Sequence, residues 1–276
     1  MHERSFIQIF PALLDWPPAV KDIGFAPMDT QRLRVVAKVA GMEKLGQLAN
    51  LEALWCFEIN AKSIDYVSRC RGLKSLFIDT LRVDSLEWAY RLRDLTVLGL
   101  ENCSKVSSLS ELTWLEKLEC LQITNFKNIH DIAILSSFRG LRQLAVQGSM
   151  WTAMKLDTLK PLSSLIKLEY INLTNLRTTD KSLKPLGELL NLKVLDIANF
   201  YPMEEFAWLS GRLRNTKCTW FEPYIEVEFG VCKKCNQQSM VIRSGKGAGM
   251  ICKYCDSDIL TKHIARFTEI AAKASQ

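Results

Sequence analysis

Among the residues that can do chemistry, the nine cysteines in this 276-residue chain have the most telling spacing. Four of them fall in two Cys-x-x-Cys pairs, Cys232/Cys235 and Cys252/Cys255, with sixteen residues between the pairs. Each pair makes a tight knuckle presenting two thiolates, and two knuckles together supply four soft ligands in tetrahedral reach of one metal ion. One pair alone would serve dithiol redox chemistry, which has no need of the second. The other five cysteines, Cys56, Cys70, Cys103, Cys120 and Cys218, stand singly. Cys56, Cys103 and Cys218 fall on apolar-periodic core positions, where small buried thiols are common and need no special role.

The paired cysteines resemble the zinc-ribbon family. The resemblance implies Cys232, Cys235, Cys252 and Cys255 as the ligands of one structural Zn²⁺, because a closed four-Cys shell leaves no position for water. Iron in a rubredoxin-like site would use the same ligands. Many ribbons carry Gly after each knuckle; here Asn236 and Asp256 stand there, the two other residue types that tolerate left-handed backbone. To position the knuckles, Met240, Val241 and Ile242 are expected to pair with Met250 and Ile251 as a hairpin turned by Gly245, Gly247 and Gly249. A helix is expected over residues 258–273, with Leu260, Ile264, Phe267 and Ala271 on one face.

Upstream, 33 of the 39 leucines lie between residues 45 and 195. They follow the pattern Leu-x-x-Leu-x-Leu, whose first residues are Leu51, Leu73, Leu95, Leu118, Leu141, Leu168, Leu192 and, in a degenerate copy, Leu213. This resembles the leucine-rich-repeat family over about residues 33 to 221, in the short-repeat class of bacterial internalins and a eukaryotic phosphatase regulator. Alternate apolar residues make a strand, and stacked strands make a continuous core that no single repeat can build. Between strands the leucine spacing becomes three, as in Leu109, Leu112, Leu115 and Leu118, which suits 3₁₀ turns or short helix. The expected fold is an α/β solenoid: a horseshoe with a concave parallel sheet, a small β zinc-ribbon module and a terminal helix. It divides into an N-terminal cap (1–44), a solenoid of about eight repeats (45–221) and the ribbon with its helix (222–276). At the turn after each strand the family favours Asn, but this chain places Ile59, Leu81, Cys103, Phe126, Ser149, Leu176 and Phe200 there. The turns are therefore expected to be held by packing rather than by an amide ladder.

Outward positions of the strands would line the concave face. They include Trp55, Phe57, Phe77, Asp79, Glu101, Gln122, Tyr170, Asn172 and Asp196, read as candidate partner-binding residues. Aromatics beside charges have the composition of a protein-binding hot spot. The competing reading puts the apolar, Pro-rich segment over residues 6–42 across Trp55 as a cap. Lys217 is the one basic residue in the two outward columns that carry most of these side chains, whereas a phosphate-tracking surface needs several.

Composition narrows the function further. The formal charge of +6 comes from 36 Lys+Arg against 30 Asp+Glu, and +5 of it lies in residues 212–276 (11 against 6). No convincing pair of catalytic carboxylates, nucleophile elbow or paired-His site is present. Ser244 to Gly249 has the glycines of a phosphate loop without its terminal Gly-Lys-Ser/Thr. His130-Asp131 falls on the return segment of a repeat, where a surface pair is the default reading. The apolar stretch over residues 6–14 is broken by Gln8 and Pro11, unlike a signal peptide. The reading is a cytoplasmic, non-enzymatic adaptor, regulator or inhibitor, bacterial in the look of its repeats, that binds a protein partner and neither membrane nor small-molecule substrate. Nucleic-acid binding through the basic ribbon is the alternative.

Overall fold

A computed structural model describes residues 16–275. Its centre is an all-parallel sheet built from β1 (Val20–Asp22), β2 (Arg32–Ala40), β3 (Ala53–Asn60), β4 (Ser75–Arg82), β5 (Val97–Glu101), β6 (Cys120–Thr124), β7 (Gln143–Gln147), β9 (Tyr170–Leu173) and β11 (Val194–Ile197), neighbours in that order. Between β7 and β11 the chain adds β8 (Met154–Leu156) and β10 (Leu176–Thr178), which form a separate parallel pair. Strands β1 and β2 come from the segment read as an N-terminal cap, so part of that segment extends the sheet. Residues 1–15 of that segment lie outside the described residues.

The repeat register explains the stacking. Leu54, Leu76, Leu98, Leu121, Leu144, Ile171 and Leu195 pair strand to strand, and all are essentially inaccessible to solvent. Each such leucine contributes ~1.5–3 kcal/mol by leaving water. Period-three leucines form 3₁₀ turns on the return side, including Glu87–Arg91, Ser110–Trp114 and Lys184–Glu188. Each turn buries its central apolar residue, Ala89, Leu112 and Leu186 respectively.

The turns after the strands combine two devices. Ile59, Leu81, Cys103, Phe126 and Leu176 are buried, so packing holds them as expected. An amide ladder is nevertheless present, one position earlier: Asn125 Nδ2 donates to Asn102 Oδ1 at 2.7 Å, and Asn102 Nδ2 to Asp79 Oδ1 at 3.0 Å. The chain turns there through left-handed backbone, at Asn102 (φ 54°), Asn125 (φ 60°) and Asn175 (φ 50°). Asn tolerates this conformation best after Gly, so conformational need and hydrogen bonding select the same residue.

A short helix α1 (Ala61–Ser68) follows β3, and after β11 the helix α2 (Met203–Arg212) replaces the 3₁₀ turn. A three-stranded antiparallel sheet follows, β12 (Tyr224–Glu226), β13 (Met240–Arg243) and β14 (Met250–Cys252), and then α3 (Ser257–Ala274). No helix among the described residues is long and apolar enough to cross a membrane.

Candidate partner face and candidate metal centre

On the concave face, the parallel register sets Trp55, Phe77, Gly99, Gln122, Ala145, Asn172 and Asp196 in one row across the strands. Phe57, Asp79, Glu101, Thr124 and Gln147 form the next. The expected exposed aromatic cluster is corrected here: Trp55 and Phe77 are only 6% and 5% exposed. Trp16 covers them, its ring edge-on to Trp55 at 5.7 Å and to Phe77 at 5.8 Å. Phe57 stacks on Trp55 at 5.4 Å and remains half-buried. The Arg32 guanidinium lies 4.9 Å over the Trp16 ring, and Arg34 lies 5.4 Å over Trp55. Edge-to-face rings and overlying guanidinium groups are favourable geometries for packing. The aromatic end of the face is therefore a small second core. Trp16 escaped the repeat pattern because it precedes it; its one sequence signal is a large aromatic in Asp-Trp-Pro-Pro.

Polar groups fill the middle of the face. Gln122 and Asn172, both buried, hold their neighbours rather than project. Gln122 Nε2 donates to Glu101 Oε1 at 2.8 Å and to Thr124 Oγ1 at 3.2 Å. Asn172 Oδ1 accepts from the Thr174 backbone N–H at 2.9 Å. Burial, reinforced by the charge of Asp79, pushes the Glu101 carboxyl up to about 7. Asp79, Glu101, Tyr170 and Asp196 keep partial access to solvent. Burial also raises the Asp196 carboxyl, whose Oδ2 has no hydrogen-bond partner among the described residues.

The four cysteines of the C-terminal module converge. The Sγ atoms of Cys232, Cys235, Cys252 and Cys255 all lie within 4.8 Å of one another. Cys232 Sγ is 3.8 Å from Cys255 Sγ, and Cys235 Sγ is 3.8 Å from Cys252 Sγ. A tetrahedron with ~2.3 Å metal–sulfur bonds has edges of about 3.8 Å, so the donor set fits a Zn²⁺-sized ion. Backbone N–H groups of Lys234 and Cys255 donate to Cys232 Sγ and Cys252 Sγ, each at 3.4 Å. The Ser239 hydroxyl, 3.2 Å from Cys252 Sγ, and the Cys255 N–H lower the Cys252 thiol to about 6, towards the thiolate a metal needs. The knuckles differ in backbone. Asn236 is left-handed (φ 57°), as its residue type suggests, but Asp256 is not (φ −118°). Asp256 instead leads into α3, accepting from the Cys252 N–H at 3.0 Å and pairing with Lys234 at 2.7 Å.

The module is seated on the last repeat. Phe267 of α3 joins the buried core of the solenoid. Gly211 of α2 faces α3 so closely that a Cβ there would fall 2.2 Å from the Ala271 carbonyl oxygen. Asn199 Nδ2 donates to the Arg243 carbonyl at 3.0 Å, and the Gly245 N–H donates to Asn199 Oδ1 at 2.7 Å. The Lys246 N–H reaches the Tyr201 carbonyl at 2.7 Å. The Gly245 turn of the ribbon hairpin is thus also a docking loop.

No family model matches the chain, and no curated protein is similar to it. Among solved structures, an internalin of Listeria monocytogenes (inlF) aligns with a TM-score of 0.51 at 20% identity, over 68% of this chain and 59% of its own. An internalin C2 of the same organism aligns at TM-score 0.47 and 19% identity, over 64% of this chain and 72% of that one. A leucine-rich-repeat protein of Leptospira interrogans aligns at 0.45 and 16%, over 69% and 48%. The chain spans 59% of the length of the first internalin, and what the two share is the fold. Stacked Leu-x-x-Leu-x-Leu strands, 3₁₀ returns and the fold shared with the first internalin show that the fold of this chain is a leucine-rich-repeat solenoid with a four-cysteine module on its C-terminal end.

Proposed function

We propose that this protein is a non-enzymatic, cytoplasmic binding protein that holds a protein partner on its concave face, as an adaptor, regulator or inhibitor. The observation that carries the reading is the parallel sheet itself. It presents rows of outward side chains about 4.8 Å apart, with Phe57, Asp79, Glu101, Tyr170 and Asp196 still reaching solvent. Trp55 and Phe77 leave the list of contact residues and become supports beneath it. Asp79 and Glu101 lie side by side in register, and no ion pair to Lys or Arg joins either among the described residues. They favour a partner that brings positive charge to this end of the face.

In this reading Cys232, Cys235, Cys252 and Cys255 hold one Zn²⁺ whose work is structural: it fixes the knuckles that orient β13, β14 and α3. Through α3 and the Gly245 turn the module closes the open C-terminal end, as the last unit of a solenoid requires. Nucleic-acid binding through the basic ribbon stays the second reading. Lys233, Lys234, Arg243, Lys246 and Lys253 are the cations it would use; Lys234 pairs with Asp256 and Lys253 with Glu226, and the Arg243 guanidinium donates to the Ala248 carbonyl.

Affinity capture from the native host, followed by recapture with Asp79→Lys and Glu101→Lys, tests the reading. Loss of one protein from both variants, with the thermal unfolding profile kept, is the expected result. Retention of every captured protein by both would overturn it.

A further inference from the structure

Past the C-terminal ends of β6 and β7, residues 125–130 and 148–155 enclose a cavity of about 290 Å³. The repeat lengths account for it. From Leu141 to Leu168 the repeat runs 27 residues, whereas the other repeats run 21 to 24. The additional residues form a loop with fixed ends: Asn175 Nδ2 donates to the Ser149 carbonyl at 2.6 Å, and the Ser149 N–H to the Thr152 carbonyl at 2.9 Å. A Cβ on Gly148 would fall 2.4 Å from both the Asn175 and the Thr152 carbonyl oxygens, so only Gly fits this wall. Beyond the loop, β8 takes β10 as its strand partner. Towards the preceding repeat the link is His130, whose Nδ1 donates to the Lys155 carbonyl at 3.0 Å and whose own carbonyl accepts from the Asp157 N–H at 3.0 Å. The gap between these two repeats is the cavity.

Its lining divides by chemistry. Phe126 and Met154, both buried, supply apolar walls, and a Met side chain adapts to the shape it meets. Lys127, His130, Thr152 and Lys155, all exposed, complete the lining. No carboxylate pairs with Lys127 or Lys155 among the described residues. The acids nearest in sequence, Asp131 and Asp157, do not line the cavity, and Asp131 Oδ1 accepts from the Ala133 N–H at 2.7 Å. A carbonyl oxygen only accepts, so His130 Nδ1 carries the proton of its bond and Nε2 remains as the ring's other polar atom. At the tip of the same loop Met150 and Trp151 are 83% and 88% exposed, apolar side chains that no described residue covers. Ligand pockets are mostly apolar, with a few polar groups that fix orientation, and begin at ~300 Å³. A cavity of ~150 Å³ already holds benzene, so this one accommodates a single ring with a charged group attached.

We propose that this cavity binds a small organic anion, its ring or branched aliphatic body against Phe126 and Met154 and its carboxylate or phosphate held by Lys127 and Lys155. Two cations without a carboxylate partner select negative charge. The apolar walls favour an anion that carries a hydrophobic body over a bare, hydrated one. The ligand is held, with no bond made or broken. This site uses none of the outward residues of the concave face, so it stands apart from the partner reading.

Phenyl phosphate and phenylacetate are the probes, added to the full chain and followed by calorimetry and by the imidazole NMR signals. The His130 signal is the one that His130→Gln removes. At least one probe should bind saturably, with a Kd of about 0.1–1 mM, and shift the His130 signal while that of His263 keeps its place. Inorganic phosphate, acetate and benzyl alcohol, each lacking the ring or the charge, should bind about tenfold more weakly or worse. Combining Lys127→Gln with Lys155→Gln should also weaken the probe about tenfold, with the thermal unfolding profile kept, since both side chains are exposed. Failure of both probes to saturate, equal binding of any of the three simpler compounds, or unchanged affinity in the double variant would overturn the proposal. The Asp79 and Glu101 capture variants report on the concave face separately, so either idea can fail alone.

Discussion

Gly211 and Ala271, sixty residues apart in sequence, meet where α2 and α3 cross: a Cβ at 211 would fall 2.2 Å from the Ala271 carbonyl oxygen and 3.0 Å from the Ala274 Cβ. Both obstacles belong to a helix anchored by Phe267 in the solenoid core, so they have little freedom to retreat. The last repeat and the four-cysteine module are consequently one packed body rather than two tethered ones.

Gly211→Ala should therefore push α3 off α2. Overpacking of this kind costs about 1–3 kcal/mol. Urea unfolding of the full chain measures it, and a variant as stable as the native protein would show that α3 is not seated here.

Metal loss should be felt throughout the chain. Purified protein is expected to carry one equivalent of zinc, and less than about half, without exposure to chelator, would count against the site. Removing the metal, or Cys252→Ser, should lower the unfolding temperature of the whole chain by roughly 5–15 °C in one transition. Calorimetry showing an unchanged solenoid transition beside a separate small one would refute the capping role.

Trp16→Ala removes the ring that packs edge-on to Trp55 and Phe77. The loss expected for a large buried aromatic is about 3 kcal/mol, with rising tryptophan accessibility to acrylamide quenching from Trp55. A quenching profile that changes only by the missing Trp16 would argue that the aromatic core closes without it.

Glu101 should make stability depend on pH. Its carboxyl sits at about 7 in the folded chain against an ordinary 4.5, so the folded state prefers the protonated form. The cost of burying the charge is absent in acid, grows as pH rises between those two values, and is complete above the higher one. Glu101→Gln keeps the shape and removes that cost. After discounting for partial exposure, the gain should be about 1–2 kcal/mol at pH 8 and close to nil at pH 4. Equal effects of the substitution at both pH values would contradict the titration.

The leucine register, the 3₁₀ returns, the hairpin of β13 and β14 and the spacing of the four cysteines were legible because each is local and periodic. A strand must alternate and a two-residue knuckle must bring two thiolates together, whatever the rest of the chain does. The outward columns were legible in the same way, since strand alternation names them. Periodicity could not say which of those outward residues stay in water. Trp55 and Phe77 read as exposed, with a cap over Trp55 as the competing reading, and a tryptophan thirty-nine residues before Trp55 packs on both. The amide ladder from Asn125 through Asn102 to Asp79 was hidden because left-handed backbone falls one position before the family's usual Asn. Nor did the amphipathic pattern of α3 reveal its partner, as an apolar face is complementary to any apolar surface of the right shape. Contacts such as Trp16 on Trp55 and Phe267 in the solenoid core join distant segments, and they exist only after the sheet has curved and α2 has offered Gly211 as a gap. Local chemistry chose the elements; shape at long range chose which of their side chains remain available for function.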